Sequence, residues 1–348
     1  MNVFIKPYRL DFINPAGTSR GIYNFRDSRF IILQSETDAS VFGIGECAPL
    51  PNLSCDDIPN YEEILQRFCN TFRETGVIDY ASMKNYPSML FGLESALLHY
   101  NAGTCRLFDT PFSRGEEGIV INGLIWMGSK DAMFKQIEKK LSAGFTCLKL
   151  KIGAINFEDE LQLLRYVREH FPASVMEIRV DANGAFAPHE SLEKLKRLNE
   201  FEIHSIEQPI RAGQWDAMAK LCANTPIPIA LDEELIGIND FEAKKELLAT
   251  IAPQYIILKP SLHGGIFGCN EWIKLAEEQS IPWWVTSALE SNVGLNAIAQ
   301  WTASLKVKLP QGLGTGLLYS NNFTSPLYIE GERLWYNPQD PFDYSSIR

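Results

Sequence analysis

The chain has no C-x-x-C pair and no local cluster of histidine and cysteine. Its seven cysteines, at 47, 55, 69, 105, 147, 222 and 269, are odd in number and scattered over 348 residues. That pattern argues against a disulfide framework or a cysteine-ligated zinc site and reads as buried thiols in a reducing compartment. A basic excess is also missing. The net charge is −11 and the pI is near 5.1, which argues against nucleic acid or an anionic membrane as partner. No apolar stretch approaches the length of a membrane span, and Lys6 and Arg9 interrupt any signal-like run in Met1–Phe12. The expectation is a cytoplasmic protein that handles a small molecule, with no nucleic acid or membrane partner and with its oligomeric state open.

With 45% hydrophobic residues, the chain has ample material for a core, and its length suggests two domains. The dominant pattern lies in 147–232. Four short apolar runs each end on or near a charged residue: Cys147-Leu-Lys-Leu-Lys151, Met176-Glu-Ile-Arg-Val-Asp181, Ile203-His-Ser-Ile-Glu207 and Pro228-Ile-Ala-Leu-Asp232. Lys151, Asp181, Glu207 and Asp232 recur every 25–30 residues, the length of one strand and one crossover helix in a parallel sheet. The rhythm begins with a strand at 119–124 and continues through Tyr255-Ile-Ile-Leu-Lys259 and a strand at 282–286. The region before Gly312 is placed to close a barrel as an eighth strand. Helices fall between, with Ser129 as an expected cap and Gly144 as an expected stop.

Residues 1–50 read as a β meander, with a polar turn at 14–21 and an irregular loop at 47–54. Helices follow at 56–72 and 87–100, the second with Met89, Leu93, Leu97 and Tyr100 on one stripe. The expected organisation is an α+β capping domain over 1–115, completed by residues 317–348, beside a barrel over 116–316. Apolar segments at 326–329 and 334–336 are expected to return to the N-terminal region. Loops 14–21 and 47–54 are the natural contributions of the cap to the barrel mouth.

Charged residues at the C-terminal ends of barrel strands are where such a fold carries chemistry. Side chains two apart on a strand share a face, so Lys149 and Lys151 point one way, as do Arg179, Asp181 and Asn183. Three carboxylates from consecutive strands, Asp181, Glu207 and Asp232, would repel one another unless a cation sits among them. Oxygen-only ligation favours Mg²⁺ or Mn²⁺ over zinc. Any one of these acids alone would read as a lysine partner or a helix cap; three at matched strand ends favour the metal. Lys151 and Lys259, on the second and sixth strands, would face each other across it. A neighbouring ammonium, the metal and desolvation can lower a lysine toward neutrality, fitting it to take a proton beside a metal-bound carboxylate. The plainer reading of Lys259 is a counter-ion for Asp232 or Glu207. Arg179 and Asn183 could support the carboxylates or touch substrate. Ser287 and Ser291 could bind a substrate carboxylate or cap the helix near Asn292. His263 reads as a loop residue, and Gly312-Leu-Gly-Thr-Gly316 is a weak phosphate signal.

Lys149-Leu-Lys151, Asp181-Ala-Asn183-Gly184, Glu207-Gln-Pro209, Asp232-Glu233 and Lys259-Pro260 resemble the enolase superfamily, muconate-lactonising subgroup, over nearly the whole chain. The resemblance implies a modified (β/α)7β TIM-type barrel with an α+β capping domain. It implies Mg²⁺ on Asp181, Glu207 and Asp232, with Lys151 as base and Lys259 as its partner. Gly45-Glu-Cys-Ala-Pro-Leu-Pro51, Arg179-Val-Asp-Ala-Asn-Gly184, Ser287-Ala-Leu-Glu-Ser-Asn292 and Gly312-Leu-Gly-Thr-Gly316 point within the subgroup to the dehydratases of menaquinone biosynthesis. These lyases convert 2-succinyl-6-hydroxy-2,4-cyclohexadiene-1-carboxylate to o-succinylbenzoate. N-Succinylamino acid racemases and dipeptide epimerases use the same lysine pair, although the epimerases usually carry an Asp-x-Asp near the last strand, where this chain has glycines. A Schiff-base aldolase would need one isolated lysine and no metal. A non-catalytic metal-binding barrel would show no proton exchange on any carboxylate ligand.

Overall fold

The computed structural model describes residues 1–18 and 21–348. Ser19 and Arg20, within the turn expected at 14–21, lie outside the described residues. The first two strands, β1 (Asn2–Thr18) and β2 (Gly21–Gln34), form a long antiparallel hairpin, and β3 (Phe42–Cys47) pairs with β2. Most of the expected 14–21 turn is therefore strand. The irregularity sits earlier, where the register shifts between Asp11 and Ala16. Pro15 falls in that bulge, and proline cannot donate to a ladder.

Helices α1 (Tyr61–Thr75), α2 (Tyr80–Met83) and α3 (Pro87–Ala102) complete this layer. Here α3 departs from the one-stripe expectation, because residues Pro87–Ala96 are all buried. The helix is wedged between the sheet and the barrel, so it has no wet face. Its approach to the sheet is close enough to require glycine: a Cβ on Gly45 would lie 1.9 Å from the Gly92 carbonyl oxygen.

The chain then enters the barrel in two short pieces rather than one strand. β4 (Ile119–Val120) belongs to a separate sheet, and β5 (Gly123–Ile125) is the first barrel strand. From there strands and helices alternate: α4 (Lys130–Ser142), β6 (Cys147–Lys151), α5 (Phe157–His170), β7 (Glu177–Asp181), α6 (Pro188–Asn199), β8 (Ser205–Glu207) and α7 (Trp215–Asn224). They continue through β9 (Ile229–Leu231), α8 (Phe241–Ile251), β10 (Tyr255–Leu258), α9 (Gly265–Glu278), β11 (Trp283–Val285) and α10 (Asn292–Ser304). The strands β5 to β11 are parallel neighbours in chain order. The eighth position is reduced to two bridges, Thr286 to Gly312 on one side and Ile121 to Gln311 on the other. They close the ring as the (β/α)7β reading expects. Local chemistry marks the helix starts: Ser129, Asn156, Asp240 and Ser291 each accept an amide of the first turn, worth about 1 kcal/mol apiece.

The C-terminal hairpin, β12 (Leu327–Glu330) and β13 (Arg333–Tyr336), does not return to the N-terminal sheet. β13 pairs with β4, and the Glu332 carboxylate accepts the Thr146 amide at 3.0 Å, just ahead of β6. The hairpin thus lies at the N-terminal end of the barrel, away from the charged strand ends. Flanking segments do reach the first sheet: Ser320 donates its amide to the Asp11 carbonyl at 2.9 Å, and Tyr344 and Ile347 pack with Phe30, Ile32 and Ile44. The barrel and the α1–α3 layer hold separate apolar cores.

Candidate active site

The charged strand ends converge as alternation requires. Leu148 and Leu150 are buried in the barrel core among the helices, so Lys149 and Lys151 face the barrel axis. Lys149 Nζ lies 3.0 Å from Asp181 Oδ2 and 2.5 Å from Glu207 Oε2. Lys151 Nζ lies 2.9 Å from Asp181 Oδ2 and donates to Asn183 Oδ1 at 2.9 Å. Lys259 Nζ pairs with Asp232 Oδ2. Strands β6 and β10 stand four places apart in a ring of eight positions, so Lys151 and Lys259 enter from opposite sides with the three carboxylates between.

Burial and mutual charge polarise the cluster. Burial opposes ionisation of Asp181, but Lys149 and Lys151 outweigh it and hold that carboxyl below its ordinary value. Asp232 is held low in the same way, burial being overcome by Lys259 and Lys149. Glu207 goes the other way. Its burial, together with the nearby Asp181 charge, pushes it well up. Glu233 is pushed up to about 7 by burial and then by Asp232 and Asp181. Burial pulls Lys149 down, yet the charges of Asp181, Glu207 and Asp232 keep it above its usual range. Lys259 is raised against burial by Asp232 and Glu207. The lowering expected of a lysine here is absent at Lys259, because its direct contact with Asp232 outweighs the repulsion from Lys149.

Among the described residues, no three carboxylates close on a common point as they stand; the lysine ammonium groups lie among them. The donor chemistry nevertheless fits a hard divalent ion. Every candidate ligand is a carboxylate oxygen, and Asp232 Oδ1 is buried without a hydrogen-bond partner. An orphaned buried carboxylate oxygen is costly unless a cation or donor meets it.

Above the cluster opens a cleft lined by both polar and apolar side chains. The barrel contributes Lys149, Lys151, Asn183, Glu233 and Lys259 at its floor and Asn122, Trp126, Thr286 and Ser287 at its sides. The first domain contributes Leu50 and Leu53 from the irregular 47–54 loop, as expected. Among the described residues the first domain also contributes Tyr23 of β2, whose hydroxyl donates to the Pro51 carbonyl at 2.8 Å; the expected part of the 14–21 turn includes Ser19 and Arg20, outside the described residues.

The remaining expected residues divide. Asn183 is at the floor, with φ 44°, a left-handed conformation that asparagine tolerates. Ser287 lines the cleft, its hydroxyl 2.6 Å from that of Thr315 in the glycine loop. Ser291 does not reach the cleft; it caps α10 and bonds Glu46. Arg179 lies a layer deeper. It bonds Glu177 at 2.6 Å and the Pro310 carbonyl at 2.9 Å and stacks over Trp284, touching none of the three acids. His263 is buried, and its Nδ1 accepts the Lys259 amide at 3.0 Å. Burial pushes it down to about 3, so it is a neutral prop and not a base. Sequence reasoning reached Glu233, Thr315 and Leu53 only through the stretches that hold them, Asp232-Glu233, Gly312–Gly316 and the 47–54 loop, and assigned none of them a role. It passed over Trp126, which stands alone after β5 with no local signal.

The enolase C-terminal domain-like family matches residues 132–336. The o-succinylbenzoate synthase of Desulfotalea psychrophila is 46% identical, over 93% of this chain and 96% of that protein. The crystal structure of MenC from the same organism superposes with a TM-score of 0.82 at 42% identity, covering 96% of this chain and 99% of that one. A dipeptide epimerase from Cytophaga hutchinsonii, complexed with Mg and a dipeptide, reaches the same TM-score over 99% of this chain and 96% of that one, at 19% identity. That likeness speaks for the fold alone. Fold, lysine pair and identity over nearly the full length agree: the chain belongs to the enolase superfamily, in its o-succinylbenzoate synthase branch.

Proposed function

We propose that this chain is a cytoplasmic lyase of menaquinone biosynthesis that dehydrates 2-succinyl-6-hydroxy-2,4-cyclohexadiene-1-carboxylate to o-succinylbenzoate. The observation that carries the reading is the placement of Lys151 and Lys259 on opposed strands with Asp181, Glu207 and Asp232 between them. The acid set would hold Mg²⁺ or Mn²⁺. Bound there, the ion would supply a fixed positive charge for the ring carboxylate as the adjacent carbon loses its proton.

Lys151 Nζ takes that α-proton, leaving the electron pair delocalised onto the ring carboxylate. The Lys259 ammonium faces the opposite side of the ring and steadies this negative charge. The electron pair then forms the ring double bond as the C6–O bond breaks. The proton held by Lys151 goes to the departing hydroxyl, which leaves as water. The ring becomes aromatic, so the protein has only to stabilise the charged intermediate. Asn183 orients Lys151, and Lys149 keeps Asp181 and Glu207 charge-balanced. The Ser287–Thr315 hydroxyl pair can donate to a carboxylate, while Leu50, Leu53 and Trp126 cover the ring and exclude water.

The test follows the loss of diene absorbance with and without Mg²⁺. Fast, metal-dependent loss supports the reading; a diene that persists with saturating Mg²⁺ overturns it. The opposed lysines also suit racemisation of N-succinyl amino acids, read as deuterium exchange at the α-carbon. Dipeptide epimerisation is disfavoured because 312–316 carries no Asp-x-Asp.

A further inference from the structure

Behind the wall of the cleft lies a buried polar network that no step above uses. Arg26, on β2, is 2% exposed, and its guanidinium donates to the carbonyls of Ala48 and Ala288. Glu46, on β3, is fully buried. It accepts the Ser28 hydroxyl at 2.8 Å, the Ser291 amide at 3.0 Å, the Ser291 hydroxyl at 2.5 Å and the Gly294 amide at 3.0 Å. Glu290 accepts the Ala288 amide at 2.6 Å and the Ser261 hydroxyl, two residues beyond Lys259. Tyr319 donates to the Leu289 carbonyl at 2.5 Å.

The geometry has a direction. Ala48 opens the loop that carries Leu50 and Leu53, and Ala288 lies in the segment that carries Ser287 and Leu289; both sets line the cleft. Each segment is irregular backbone with no ladder of its own. A single planar guanidinium bridging the two carbonyls fixes their separation, as its rigid fork permits and a lysine ammonium does not. Glu46 sits at the start of α10, where a negative charge is favoured, and so ties β3 of the first domain to the barrel element that begins at the cleft. A seam needing only stability would be served at least as well by apolar residues, since burying an arginine and two glutamates is costly.

We propose that Arg26 and Glu46 are positioning residues for the substrate. They act through Ala48 and Ala288–Ser291 to hold the wall of Leu50 and Leu53 at a set distance from that of Ser287 and Leu289. The identity of the substrate rests on the dehydratase reading; the clamp itself does not. Glu94 supplies the contrast. It also joins the two domains, accepting the amides of Ile266 and Phe267 at 2.6 and 2.9 Å at the start of α9, but it does not line the cleft.

The experiment compares Arg26→Lys, Glu46→Gln and Glu94→Gln at saturating metal, reading KM, kcat, Tm and amide exchange over residues 286–294. Arg26→Lys and Glu46→Gln are expected to raise KM roughly tenfold, the scale of one hydrogen bond to a charged group. Their kcat should hold within about twofold, and exchange over 286–294 should quicken. Glu94→Gln is expected to lower Tm with KM and that exchange unchanged. If Arg26→Lys and Glu46→Gln lower Tm but leave KM at the wild-type value, the positioning role is overturned; should Glu46→Gln fail to fold, Arg26→Lys decides alone. If the wild type leaves the diene intact, the dehydratase reading fails. The exchange comparison then decides the clamp, and equal exchange in all three variants overturns it.

Discussion

Asn183 donates its amide nitrogen to Glu233 Oε1 at 2.9 Å, and this leaves its carbonyl oxygen to accept from Lys151 Nζ at the same distance. In its ionised form Glu233 can only accept, and in that form it dictates which end of the amide faces the lysine. Glu233 thereby orients the proposed base without touching it. Replacing Asn183 with glycine keeps the left-handed backbone at no steric cost and removes the relay. Asn183→Gly is expected to lower kcat roughly tenfold or more, the worth of a hydrogen bond to a charged group, with a smaller effect on KM. Steady-state kinetics at saturating Mg²⁺ checks this; an unchanged kcat would remove Asn183 from the mechanism.

Lys151 is expected to be dispensable for metal and indispensable for turnover. Lys151→Ala leaves Asp181, Glu207 and Asp232 in place and still leaves Asp181 paired with Lys149 at 3.0 Å. Calorimetry should show Mg²⁺ binding retained while diene consumption disappears. Retained turnover would sink the assignment of Lys151 as the base.

Close backbone approach makes a stability prediction independent of function. A methyl group on Gly45 would meet the Gly92 carbonyl at 1.9 Å and the Ala96 amide nitrogen at 2.6 Å. Both are main-chain atoms of α3, so neither can rotate aside. Gly45→Ala is expected to cost about 3 kcal/mol or more, the upper end of overpacking, read as a lower urea midpoint. A midpoint shift under about 0.5 kcal/mol would show that α3 can slide on the sheet.

His99 makes stability pH-dependent. Its Nδ1 accepts the Ile44 amide at 3.1 Å, and burial pushes its pKa down to about 4 from an ordinary 6.5. Between those values the unfolded chain binds a proton that the folded one refuses. Stability is therefore lost as pH falls from 6.5 toward 4, by about 3 kcal/mol at the lower end. Glu94 acts in the opposite sense: burial pushes it up to about 8, so raising the pH from 4.5 to 8 also destabilises the fold. Comparison with His99→Gln isolates the histidine. The wild type should lose stability relative to the variant as the medium is acidified, and parallel curves would refute the linkage.

Much of the site is legible in the sequence because its logic is periodic. The alternation of Leu148 and Leu150 with Lys149 and Lys151 assigns faces, and the 25–30 residue repeat assigns strand ends. Capping chemistry at Ser129, Asn156 and Asp240 is likewise local. Arg179 shows where such reasoning stops. It shares a strand face with Asp181, and its register partner across the ladder is Lys149. Lys149 reaches Asp181 and Glu207, whereas Arg179 bonds Glu177, two residues before it. Alternation gives the face; it does not give which way along the barrel axis a long side chain leans.

The order of strands and the place of each charged residue at a strand end follow from local pattern, because each depends only on residues within one βα unit. Folding in three dimensions settled the rest. It split 119–125 between two sheets, sent the 327–336 hairpin to the N-terminal end of the barrel, and built the cleft wall from Tyr23, Leu50, Leu53 and Leu289. It also turned Ser291 from a candidate substrate contact into the partner of Glu46, some 245 residues away in sequence. Such pairings answer to which surfaces and unsatisfied polar groups meet when two domains close, and that depends on the packing of the whole molecule rather than on any window of sequence.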